Sequence, residues 1–212
     1  MHNLRRSGFR AAATIACLVV VAAASGGCGR DAAHDSEPAR GDGSAVELNS
    51  GGDCAGRDVI VNKDGAGVVL DGECGTVTIE ANGVSANVAR SNAVIVRGQD
   101  TGLVGGQTGT LTIAGRSNSA TIDVVESIDL QGNAVTVLGT QAERISVGGS
   151  GNSVNVDDSG AMTVSGNDNV VRAVSLDSLD VSGSNNTVDW DSGATAAAAD
   201  TGSANRLTPP GA

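Results

Sequence analysis

The chain has 212 residues and a formal net charge of −11, and it holds 31 glycines against one Phe, one Trp and no Tyr. That acidity excludes nucleic-acid binding, which needs basic patches, and electrostatic adhesion to anionic lipid. An apolar content of 40% is too high for a disordered chain, yet without aromatic rings the interior has to be narrow and filled by small aliphatic side chains.

Residues 1–27 read as a secretory signal peptide. Arg5, Arg6 and Arg10 supply its positive start, and Ala11 to Ala24 form an apolar segment too short to span a membrane comfortably. Ser25-Gly26-Gly27-Cys28 then resembles a bacterial lipobox, with Ser25 in place of the usual leucine. In proteins that carry that box the cysteine sulfur receives a diacylglycerol, palmitate being a typical acyl chain, and cleavage makes the cysteine the new N-terminus. The resemblance therefore implies lipidation at Cys28 and anchoring at the extracytoplasmic face of the cell membrane. The alternative is an ordinary cut near Ala22-Ala23-Ala24-Ser25 and free secretion. Cleavage before Cys28 removes three arginines and no acid, moving the net charge from −11 to −14.

Residues 28–53 are rich in Gly, Ser and Asp without sustained apolar periodicity, as expected of a flexible tether. The Arg40-Gly41-Asp42 tripeptide inside it is a chance match to an adhesion motif. Cys17 departs with the signal. With Cys28 acylated, Cys54 and Cys74 remain as an even pair in an oxidising compartment, where a disulfide is expected. A zinc site is disfavoured, because His34 is the sole histidine after the signal and lies in the tether. No cofactor is expected.

Residues 54–193 are a repeat. Copies begin at Val77, Val94, Leu111, Ile128, Ile145, Met162 and Leu179, each 17 residues after the last, and an eighth begins at Val59 with a one-residue insertion before Val77. Gly98, Gly115, Gly132, Gly149, Gly166 and Gly183 hold the fifth position, and Asn118, Asn152, Asn169 and Asn186 the eighth. Apolar residues recur two apart, as in Ile145-Val147 and Val154-Val156, which is strand alternation. The Gly-x-x-Asn between the pairs reads as a bend that needs unusual backbone angles. One copy cannot bury its apolar face alone, but stacked copies can. The expected fold is all-β: a narrow β-solenoid, or parallel β-helix, of about eight coils, each of two or more short strands. Asn186 is expected to ladder with Asn169 and Asn152. Trp190, at the twelfth position of the last copy, reads as a cap over the open end, with a sugar-stacking platform as the alternative. The Cys54–Cys74 bridge would pin the first coils at the other end. Residues 194–212 read as a disordered tail.

Catalytic and metal-binding uses of a solenoid fit poorly. Gly148–Val156 approaches a calcium-binding nonapeptide, but Ser153 stands where the ligand aspartate belongs. The second and fourth positions are too irregular for an ice-binding array. Asp157, Asp158, Asp177, Asp180, Asp189 and Asp191 could form an acidic patch, but no long loop builds a cleft around a carboxyl pair. A Ser-His-Asp triad lacks its histidine.

The exported start, the cysteine pair and the copies of V-x-V-x-G-x-x-N-x-V together resemble the actinobacterial family called domain of unknown function 3060, whose members are secreted proteins and lipoproteins. Val181 to Val188 matches the motif best, whereas Val84 and Val135 stand where asparagine is usual. That family carries no established activity, so the resemblance implies fold and envelope location but no catalytic residue. The expected function is a non-enzymatic scaffold or binding module held at the membrane by its N-terminal lipid, with an envelope protein or glycan as partner. A carbohydrate-binding or carbohydrate-acting β-helix is the alternative.

Overall fold

The computed structural model describes residues 44–195 and 199–212. The signal peptide, Cys28 and the tether as far as residue 43 lie outside the described residues. The strands are β1 (Val46–Glu47), β2 (Gly52–Asp53), β3 (Val59–Val61), β4 (Gly67–Ile79), β5 (Ser85–Val96), β6 (Gly102–Ile113) and β7 (Ser119–Leu130). They continue as β8 (Thr136–Val147), β9 (Ser153–Val164), β10 (Val170–Val181), β11 (Thr187–Gly193), β12 (Ala199–Asp200) and β13 (Arg206–Thr208). Every pairing is parallel and all strands belong to one sheet, wound as a β-solenoid of about nine turns. Equivalent positions stack with a register of 17, as in Ser119↔Thr136 through Leu130↔Val147. At roughly 4.8 Å per coil the rod is about 43 Å long. The extra residue between Val59 and Val77 is a bulge between Leu70 and Glu73, taken up at Gly72 with φ 74°.

Each coil from β5 to β10 is one bent twelve-residue strand rather than two separate short ones, and the bends make it three-sided. Counted from the first residue of each repeat, positions one to four form the first side, nine to twelve the second and fourteen to sixteen the short third. In β9, Val154 and Val156 point inward. Asp157 and Asp158 then point outward in succession and turn a corner. Ser159 points inward alone, Gly160-Ala161 turn a second corner, and Met162 and Val164 point inward again. Two outward residues in a row break the period-two alternation, which is how a continuous strand changes face. The first position is filled by Val59, Val77, Val94, Leu111, Ile128, Ile145, Met162 and Leu179, all at most 2% exposed. Full burial of such side chains contributes about 1.5–3 kcal/mol each.

The third corner corrects the expected role of the fifth-position glycines. Their backbones are not left-handed. The left-handed residue is the seventh: Asp100, Ser117, Ala134, Asp168 and Asn185 have φ between 54° and 58°, and Gly151 has 67°. That conformation turns the seventh N–H out of its own coil, so that it donates to the sixth-position carbonyl of the next. Ala134 N donates to Ser150 O at 3.0 Å and Asn185 N to Ser203 O at 3.0 Å. A non-glycine residue there costs about 1–2 kcal/mol, offset by a bond that continues the ladder around the corner.

Both ends extend beyond residues 54–193. β1 pairs with β3 and β2 with β4, so part of the expected tether is structured, and Val46 and Leu48 pack against the core. At the other end, β13 pairs with β11 and Leu207 lies over the core. The expected tail thus carries a partial ninth coil. Gly202, Asn205 and Leu207 repeat Gly183, Asn186 and Val188 at a spacing of 19, and Pro209-Pro210 follow, where missing N–H donors stop the ladder.

Cys54 and Cys74 form a disulfide with Cα atoms 4.9 Å apart at a sequence separation of 20. Both are buried. Closing a loop of that length stabilises by about 3 kcal/mol. The Cys54→Ala/Cys74→Ala double variant is expected to lose that amount in urea unfolding, with hydrogen exchange rising first in residues 44–61.

Candidate functional site

The repeat columns are occupied with structure. Each fifth-position glycine lies flat against the coil before it: a Cβ on Gly115, Gly132, Gly149, Gly166 or Gly183 would overlap the carbonyl oxygen of the preceding glycine, and one on Gly98 that of Ala81. Each eighth-position asparagine bonds backward to backbone, rather than simply to the asparagines above and below. Asn186 Nδ2 donates to Gly166 O at 2.9 Å, while its Oδ1 accepts from Asn169 N at 3.0 Å. Asn169 repeats this on Gly149 and Asn152, Asn152 on Gly132 and Val135, and Asn118 on Gly98 and Thr101. Direct side-chain ladder bonds join Asn169 to Asn186 at 3.1 Å and Asn186 to Asn205 at 3.3 Å. All four expected asparagines are at most 3% exposed. Their polar atoms are spent inside the rod.

A second, exposed asparagine row escaped the sequence reading. Asn82, Asn133 and Asn167 hold the sixth position in three of the coils, and each Oδ1 accepts the sixth-position N–H of the next coil, from Gln99, Ser150 and Ser184. Its signal was present, diluted by Gln99, Arg116 and Ser150 in the coils between.

Trp190 is 2% exposed and stacks in register on Ala173. Its Nε1–H donates to Ala194 O at 2.5 Å. The indole is core, with no open face for a sugar, and the partial ninth coil rather than Trp190 is the outermost layer.

The six aspartates of the expected patch are spread over the rod. Asp157, Asp158, Asp177 and Asp191 stand on or beside the short third side, Asp180 on the first, and Asp189 on the second, 3.9 Å from Arg172. On the third side Glu143, Asp158 and Asp177 share a shallow depression of about 320 Å³ with Gln141 and Ser175. All three carboxylates are solvent-exposed, whereas a carboxyl pair that divides acid and base roles needs one member desolvated. Among the described residues no group of three or more His, Cys, Asp or Glu is placed to hold a metal ion.

The remaining surface feature is on the second side. There the outward ninth position reads Gly67, Ser85, Gly102, Ser119, Thr136, Ser153, and the outward eleventh reads Val69, Asn87, Val104, Thr121, Leu138, Asn155. Neither column holds a charge through six successive coils. Val69, Val104 and Leu138 are 55%, 53% and 45% exposed, unusual for large aliphatics in so acidic a chain. In the first four coils the small ninth-position residues floor an open trough of about 520 Å³ along the rod, walled by Val69, Asn87, Val104 and Thr121.

The family described as Protein of unknown function (DUF3060) matches this chain in two overlapping stretches, residues 131–175 and 147–204. Both fall in the later coils, and their overlap by about one coil's offset is what a stacked repeat produces. Searches against curated proteins and solved structures find no match.

Proposed function

We propose that this chain is a lipid-anchored protein of the extracytoplasmic membrane face whose solenoid is a non-enzymatic binding rod, and that the uncharged second side is its working surface. The observation that carries the reading is the segregation of charge: one side of a rod with many more acids than bases is free of charge over six coils and exposes three aliphatic side chains. The lipobox-like Ser25-Gly26-Gly27-Cys28, after an arginine-led apolar segment, supports the location. The carboxylates offer no support for catalysis, since those that share a depression are exposed, and the described residues include no histidine to pair with them.

Two measurements test this. Mass spectrometry of the mature protein should find a diacylglycerol on an N-terminal Cys28; an unmodified residue upstream of Cys28 rejects the anchor. In a Cys28→Ala background, which removes the lipid, the protein should sediment with isolated envelope fragments and Val104→Asp should abolish this. Sedimentation indifferent to Val104→Asp removes the working surface from the reading.

A further inference from the structure

We infer that the trough on the second side takes a neutral, extended β-linked polysaccharide strand, laid along the rod axis. This rests on the reading of that side as the working surface and names its occupant.

The trough alternates with a period of two coils. In the first and third coils a glycine floor, Gly67 and Gly102, faces an aliphatic wall, Val69 and Val104. In the second and fourth coils a serine floor, Ser85 and Ser119, faces a polar wall, Asn87 and Thr121. Stacked coils repeat at roughly 4.8 Å, so apolar and hydrogen-bonding pairs alternate every ~9.6 Å. A β-linked pyranose chain has the matching symmetry. Successive rings are flipped, its rise per ring is close to one coil, and its C–H faces and hydroxyl edges therefore recur every second ring. Aliphatic walls suit the C–H patches, and Ser, Thr and Asn side chains supply the donors and acceptors that hydroxyls need. An extended peptide rises about 3.3 Å per residue with a two-residue repeat near 6.6 Å, and falls out of step with the coils.

Charge narrows the choice further. Acids outnumber bases along one edge of the uncharged columns, Asp71, Glu73, Asp123, Asp157 and Asp158 against Arg90, and equal them along the other, Asp64 and Asp100 against Lys63 and Arg116. Anionic polysaccharides would be repelled, and a second copy of this acidic chain would bring its own flanking rows against these. A cationic partner would be drawn to the acidic edge rather than to the face beside it. A neutral polymer is what remains, and a stack of near-identical shallow subsites gains avidity from a polymer that no single sugar could match.

The test uses the full-length protein, solubilised in detergent, in depletion isotherms on insoluble cellulose and chitin, with starch and soluble polygalacturonate as comparisons. Retention is expected on the β-linked neutral polymers and not on the others. Val104→Asp, at an exposed position that leaves the core intact, should weaken retention at least tenfold, while Ser146→Asp on the first side should not change it. No retention on cellulose or chitin, or equal retention by Val104→Asp, overturns the inference. If envelope fragments bind in a Val104-dependent way and neither polymer does, the working surface stands and its polysaccharide occupant falls.

Discussion

Gly166→Ala is expected to lower unfolding stability by about 4 kcal/mol, near the upper end for a single methyl group. The added Cβ would overlap the carbonyl oxygen of Gly149 and come within 2.8 Å of Asn169 Nδ2. Neither neighbour is the free end of a flexible side chain. Gly149 O belongs to the stacked coil and already accepts from Asn169, so the clash can be relieved only by parting two coils that their ladder holds together. Gly102→Ala provides the contrast. Nothing lies within 4 Å of that Cβ, the backbone there is ordinary strand, and loss of unfolded-state freedom should leave the variant neutral or about 0.5 kcal/mol more stable. Urea unfolding of the two variants side by side checks the argument. Equal stabilities would mean that the fifth-position glycines are not held by close approach.

The second large effect is expected at Asn169, which has no exposed surface. Its side chain accepts from Asn152 N at 2.9 Å and donates to Gly149 O at 3.0 Å and to Asn186 Oδ1 at 3.1 Å. Asn169→Ala would strand a buried N–H and a buried carbonyl at about 1–3 kcal/mol each, giving a loss of about 3–5 kcal/mol in all. Asn169→Asp keeps the acceptor but removes both donations and buries a charge, so it should be worse still at neutral pH. Denaturant unfolding should rank wild type, alanine and aspartate in that order. Coils that already lack the asparagine show what it adds. Val135 fills the same place apolarly, and its own N–H is served by Asn152 from the next coil.

These two columns are legible in the sequence because glycine recurs in six successive copies and asparagine in four, each at a fixed spacing. A 17-residue period, glycine at the fifth position and asparagine at the eighth can arise only if each copy meets the same neighbours, which means stacking. The seventh position was not legible. Its conformation is constant but its residue is not: Asp100, Ser117, Ala134, Gly151, Asp168 and Asn185 share a backbone angle, not a chemistry. The bond each gains to the next coil exists only after stacking, so no local preference announces it. The inward fifteenth position was hidden for a similar reason. Cys74, Ser91, Thr108, Val125, Ala142, Ser159 and Leu176 share a column, but two outward residues precede it and the alternation that marks a strand is interrupted. Ser159 even leaves its Oγ buried without a partner, an apolar site filled by a polar residue.

Sequence alone determined the repeat, its period, the stacking of coils and the narrow aliphatic interior, because each follows from residue type at fixed intervals; the Cys54–Cys74 pair was expected by elimination, and the structure shows it formed. Tertiary structure decided the three-sided cross-section, the partial coils at both ends, the burial of Trp190 and the charge-free side. The ninth coil follows a 19-residue spacing that breaks the period, and its strand is recognised only by its pairing with β11. The uncharged face of the first six coils is written in residues 17 or 18 apart that are strangers in the chain. Winding brings Val69, Asn87, Val104 and Thr121 into one wall, and only then does the absence of charge become a property of a surface.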